Sequence, residues 1–149
     1  MLGILPTLPY LYIQYPDIFP NTNCIICKNH KGHTHWLTCP GLPDLKLTIK
    51  DTIQEFFHSS RLDITTSQLH DLHNKLSNLY CLSLNQQQSN NINIFTTIKG
   101  YIPLLLIQTI QEYTDSHKAA ITITIKFLLQ FTQNIYNYHW KPYCTKVAE

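Results

Sequence analysis

The segment from Cys24 to Pro40 constrains this chain more than any other. Cys24-Ile-Ile-Cys27 is followed by His35-Trp-Leu-Thr-Cys39-Pro40, so three thiols and an imidazole fall within a short stretch. Two residues between Cys24 and Cys27 is the spacing of a metal knuckle, a tight turn that aims both sulfurs at one point. Such a turn needs positive φ just after the second cysteine, and Asn29 is the candidate, because Asn tolerates the left-handed region. His35 and Cys39 are four apart, so one turn of helix sets both on a common face. Pro40 ends that turn by pushing its predecessor out of helical geometry. Closed sites of four sulfur or nitrogen ligands are structural rather than catalytic zinc sites. The pattern predicts one structural Zn2+ held by Cys24, Cys27, His35 and Cys39.

Other histidines lie nearby. His30 is too close to Cys27 for a relaxed loop, and His33 falls on a different face of the turn from Cys39, so His33 is the reserve ligand. A Cys-x-x-Cys pair can instead be a redox couple, but that motif belongs beside a βαβ pattern, which is missing here. Small buried thiols are the other alternative. The redox reading leaves Cys39 and His35 unexplained.

The chain has 149 residues, 44% of them hydrophobic, enough for one domain of ordinary size with its own core. Only 13% is charged, and the net charge of +2 is too weak to indicate nucleic-acid binding by itself. Five cysteines, an odd number with three clustered at metal spacing, argue for a reducing compartment. Met1-Leu-Gly-Ile-Leu-Pro6 lacks a basic start and is interrupted by proline, so it is a poor signal peptide. The longest apolar run, Ile102 to Ile107, is far too short for a membrane span. The expected setting is intracellular, in nucleus or cytoplasm, with no membrane association.

Residues 1–23 carry Pro6, Pro9, Pro16 and Pro20 and read as an extended arm. Residues 24–40 form the knuckle, and 41–149 a helical domain with a mobile polar loop near 85–92. Helices are expected over 45–59 after Asp44, over Asp63–Leu84, from Pro103 as first residue to Tyr113, and from Asp115-Ser116 to about Trp140. Ile121-Thr-Ile-Thr-Ile125 alternates like a strand, but it continues into Lys126–Tyr138 without a turn signal and is read as helix. His70, Asp71 and His73 suggest a metal or catalytic pair; an exposed polar helix face is the preferred reading. The fold class is therefore all-α: a small zinc knuckle lobe with a Cys-Cys-His-Cys ligand set, followed by a helical bundle of about four helices.

Leu5-Pro-Thr7, Tyr15-Pro16, Cys24-Ile-Ile-Cys27 and Thr34-His35-Trp-Leu-Thr-Cys39-Pro40 together resemble the zinc-binding region at the C-terminal end of non-LTR (LINE-type) retrotransposon reverse transcriptases. The similarity is to the divergent versions in large fungal families. Lys99-Gly-Tyr-Ile-Pro103 and Trp140-Lys-Pro-Tyr-Cys144 resemble the helical tail of those proteins. The resemblance puts Cys24, Cys27, His35 and Cys39 in the ligand positions. It departs at Gly32-His33-Thr34, where family members often carry an acidic residue before the histidine. No polymerase aspartate pair or RNase H carboxylate cluster can be assembled, so the resemblance implies a non-catalytic tail.

Three functions compete. The first is a zinc-stabilised module that contacts RNA, DNA or a polymerase partner, with Lys28, His30, Lys31 and His33 as a basic patch and Trp36 as a stacking platform. For Trp36 the preferred role is an anchor of the loop on the helices, because so small a lobe needs one. The second is a metal-independent helical protein–protein interaction domain with no nucleic-acid role. The third is a Cys-His hydrolase on Cys81 or Cys144 with His139, for which no activating context is visible. The chain reads as a non-enzyme.

Overall fold

In the computed structural model the described residues are 17, 23–29, 35–60, 62–83 and 94–148. The proline-rich arm, apart from Asp17 and Asn23, and the polar loop at 85–92 lie outside them. The protein is all-α, and no strand occurs among the described residues. A 3-10 turn at His35–Leu37 precedes helices α1 (Leu45–Ser59) and α2 (Thr66–Ser77). A second 3-10 turn, Tyr80–Leu82, leads to α3 (Ile94–Ile98), α4 (Leu104–Gln111) and α5 (His117–Ile135). A π turn at Tyr136–Trp140 then passes into α6 (Lys141–Ala148).

These elements divide into two compact units. One takes the residues up to Leu45 together with Ile135 onward, and the other is Lys46–Asn134. This differs from the division expected from sequence, which assigned everything after residue 40 to one helical domain. The physical reason is aromatic: Trp140 packs edge-on against Trp36 at 5.2 Å and stacks on Tyr143 at 6.0 Å, which ties α6 and the π turn to the knuckle.

The Lys46–Asn134 unit is built from amphipathic stripes. Ile49, Ile53 and Phe57 fall at four-residue steps on α1, and all are buried. Phe127 and Phe131 repeat one turn apart on α5 and pack at 5.9 Å, with Phe127 also meeting Phe56 at 5.4 Å and Phe57 at 5.5 Å. Polar groups inside the unit are satisfied locally. Thr52 donates to the Thr48 carbonyl at 2.7 Å and accepts from the Asn134 amide at 2.9 Å, which joins α1 to the end of α5. Thr124 donates back to the Ala120 carbonyl at 2.7 Å, so the alternating Ile-Thr run sits in a helix with its buried hydroxyl paired.

Helix ends explain where the sequence-based boundaries shift. α2 starts later than Asp63, because Thr65 closes a capping box with Gln68: Thr65 Oγ1 accepts from the Gln68 amide at 3.2 Å, and Gln68 Oε1 accepts from the Thr65 amide at 2.8 Å. It ends at Ser77, not Leu84, with Asn78 as C-cap. Pro103 is the N-cap of α4 rather than its first residue, at φ −68° and ψ 128°. Gly100 has φ 96° and ends α3 in a Schellman motif: its amide bonds to the Thr97 carbonyl at 3.1 Å, and the Tyr101 amide to the Thr96 carbonyl at 3.3 Å. Ser116 caps α5 by accepting from the Ala119 amide at 3.1 Å.

Pro142 lies in the first turn of α6 and has no amide to donate back to the Tyr138 carbonyl. The π turn directly before it, with the Lys141 amide bonded to the Tyr136 carbonyl, widens the helix where an α-turn would press the proline ring onto that carbonyl. The sequence reading of Pro142 as a disturbance holds, but the helical path continues past it to Ala148.

Phe127 is fully buried among three other phenylalanines, whereas Thr65 caps an exposed helix start. Phe127→Ala should cost about 3–5 kcal/mol of unfolding free energy. Thr65→Ala should cost about 1 kcal/mol. Denaturant titration of the helical circular-dichroism signal checks both; a Phe127 cost below that of Thr65 would show that the aromatic cluster is not the core of its unit.

Candidate metal centre

Cys24, Cys27, His35 and Cys39 come together, each offering one ligand atom, with all four atoms within 4.8 Å of one another. Cys24 Sγ lies 3.6 Å from Cys39 Sγ, and Cys27 Sγ lies 3.2 Å from His35 Nε2. Zinc–sulfur bonds of about 2.3 Å and zinc–nitrogen bonds of about 2.0 Å span a tetrahedron with edges of roughly 3.5–3.8 Å. The Cys24–Cys39 pair matches a sulfur–sulfur edge, the Cys27–His35 pair is shorter than a sulfur–nitrogen edge, and the group as a whole, at up to 4.8 Å, is looser than the ~4 Å expected around a bound ion. The 3.6 Å sulfur pair is far beyond the ~2.05 Å of a disulfide, and none of the five cysteines is disulfide-bonded. Among the described residues this is the one group of three or more Cys, His, Asp or Glu side chains placed to hold a metal ion.

Local backbone geometry explains the convergence. The Lys28 amide donates to the Cys24 carbonyl at 2.7 Å, and the Cys24 amide to the Asn29 carbonyl at 2.8 Å, which closes the knuckle. The positive φ it requires falls on Lys28, at 65°, and not on Asn29. The residue directly after the second thiol takes the reversal, whatever its preference. His35 and Cys39 share a side through a short 3-10 turn, in which the Thr38 amide bonds to the His35 carbonyl at 2.9 Å, rather than through an α-helical turn. The chain then reverses at Cys39-Pro40-Gly41-Leu42, with the Leu42 amide on the Cys39 carbonyl at 3.0 Å.

Cys24 and Cys39 are buried, at 1% and 3% exposure, and His35 is buried beside them. Burial pushes the Cys39 thiol up to about 12; the Cys24 sulfur adds to this, and the Gly41 backbone amide pulls the other way by donating to the sulfur. A divalent cation reverses the balance, because a coordinating thiol is deprotonated outright.

Two contributors were not found from sequence. Tyr143 is buried and stacked on Trp140, and its phenol is raised first by burial and then by the charge of the sulfurs of Cys24, Cys39, Cys144 and Cys27. The only sequence signal was its place in Trp140-Lys-Pro-Tyr-Cys144, far from the knuckle in the chain. Gly41 read as an ordinary turn residue. Its φ is not positive, so conformational freedom is not its role. A Cβ at this position would lie 2.1 Å from Ile26 Cγ2 and 3.9 Å from Cys39 Sγ, so only a glycine lets the two ligand-bearing turns approach.

The remaining candidates separate. Lys28 is exposed, while His30, Lys31 and the reserve ligand His33 lie outside the described residues. Trp36 is only 6% exposed, with its ring against Trp140, so it anchors the loop and offers no face for a base. Cys81 is buried and pushed up to about 11, an unreactive thiol. His139 is fully buried and its pKa is lowered by burial; Cys144 is half-buried and its thiol is raised by burial. Neither cysteine has an activated setting. Asp71 is bonded to the Tyr113 hydroxyl and lies 3.3 Å from Lys75, on the polar face of α2.

Comparison with protein-family models, with curated proteins and with solved structures finds no match to this chain.

The clash built into position 41 gives a direct test. Gly41→Ala should weaken metal retention at least tenfold, and Ile26→Ala in the same chain should restore most of it by removing the methyl group that the new Cβ meets. Competition against a chromogenic zinc chelator measures both. Equal affinity of Gly41→Ala and the parent protein would show that the close approach does not shape the site.

Proposed function

We propose that this protein is a non-catalytic zinc-binding module, in which one structural Zn2+ on Cys24, Cys27, His35 and Cys39 organises the unit that also holds α6. The observation that carries the reading is the convergence of three sulfurs and one imidazole nitrogen within 4.8 Å. The donor set favours zinc: thiolate and imidazole together suit it, and four protein ligands leave no open position for substrate. On the resemblance of its motifs, the module is the counterpart of the C-terminal tail of a LINE-type reverse transcriptase. It assists contact with RNA, DNA or a polymerase partner, and exposed Lys28 at the knuckle is the described residue that favours a nucleic-acid contact. No helix among the described residues is long and apolar enough to cross a membrane.

A second reading is a helical protein–protein interaction domain. Its support is the exposure of Tyr101, Ile102 and Leu104, at 65%, 48% and 64%, where α4 begins. Salt dependence separates the two, because phosphate contacts weaken steeply as salt rises and apolar contacts do not.

Element-specific mass spectrometry of the purified protein should find one zinc per chain, and Cys39→Ser should lose it. Structural zinc contributes roughly 10–16 kcal/mol of apparent binding free energy in finger peptides. Chelation should therefore raise hydrogen exchange in 24–29, 35–41 and α6 while leaving 46–134 unchanged. Unchanged protection in the knuckle after metal removal would overturn zinc as its organiser.

Acid should act in the same direction. The ligating thiols must be deprotonated, and burial holds the Cys39 thiol far above its ordinary value, so protons compete with the metal. Zinc should be retained at neutral pH and released as pH falls. Retention independent of pH would exclude sulfur ligation.

A further inference from the structure

A cavity of about 390 Å³ lies between α1 and α2, wholly within the Lys46–Asn134 unit and unrelated to the cysteine cluster. Each helix presents one i, i+3, i+4, i+7, i+8 stripe to it, starting at Lys50 on α1 and at Thr66 on α2. Its apolar lining is Ile53, Phe57 and Leu69. The volume is within the range of small-molecule sites.

Its polar lining is basic or uncharged, with Gln54, Thr66 and Asn74 as the uncharged part. Lys50 and His58 from α1 and His70 and His73 from α2 line the cavity, and no carboxylate does. Both helices carry acids, but these are placed elsewhere: Asp51 and Glu55 are exposed and outside the lining, and Asp71 is engaged by Lys75 and Tyr113. An apolar lining edged by an ammonium and three imidazoles is complementary to a ligand with an apolar body and an anionic end.

We propose that this groove binds a small organic anion, a carboxylate on an apolar chain or ring. The carboxylate sits among Lys50 and the α2 histidines, and the apolar body lies over Ile53, Phe57 and Leu69. This site is independent of the metal centre.

Octanoate is the probe, with octan-1-ol as its neutral match, titrated into the isotope-labelled full chain loaded with zinc. Amide shift changes should saturate and map to 50–58 and 66–74, with the alcohol at least tenfold weaker. Lys50→Glu combined with His70→Asp changes two exposed side chains and should keep the helical signal while weakening octanoate at least tenfold. Shifts that never saturate at millimolar octanoate, that map to the exposed apolar residues 101–105 instead, or that are matched by the alcohol would each overturn the proposal.

Discussion

The mutual approach of Cys24, Cys27, His35 and Cys39 governs the unit that contains them. Ile25 and Ile26 are only half-buried, and among the described knuckle residues Trp36 and Leu37 are the large apolar side chains that are fully withdrawn from water. Such limited burial falls short of the entropy of ordering the turns. Without a cation the three sulfurs make a poor core: burial keeps Cys39 protonated, and neighbouring sulfurs disfavour charge on one another. A bound dication would turn the same crowding into cohesion, because it would deprotonate the thiols and attract all three sulfurs.

The second constraint is covalent. Pro142 cannot continue an ordinary α-helix out of Ile135, and the π turn at Tyr136–Trp140 is the local answer. A π turn holds about one more residue per turn than an α-turn. Trp140, the last residue of that turn, packs against Trp36, and Tyr143 stacks on Trp140.

How much was legible in the sequence followed from how local each cause was. The four clustered side chains were readable, because Cys-x-x-Cys and His-x-x-x-Cys encode their own turns. The helices were readable from their stripes, and α1 runs over the expected 45–59. Boundaries were less so: Gln68 gives its side chain to Thr65, a reciprocal bond that competes with the apolar signal around Asp63. Least legible were Trp140, Tyr143 and the partition of the chain, which depend on contacts between residues far apart in sequence. The left-handed residue was misplaced by one position, because propensity pointed to Asn29 while hydrogen bonding to Cys24 fixed the reversal at Lys28.

That lysine is informative about charge. A left-handed backbone costs a non-glycine residue roughly 1–2 kcal/mol, and glycine would remove the cost. What glycine would also remove is the ammonium. Three thiolates around a dication leave one net negative charge on the proposed centre. An exposed cation next in sequence to Cys27 offsets that charge in water, where the pairing is worth little to stability but changes the field the knuckle presents. On the proposed zinc-bound centre, the strained position would bear on the charge the knuckle presents more than on how tightly it folds. A glycine at 28 would make a less strained turn with a more anionic face.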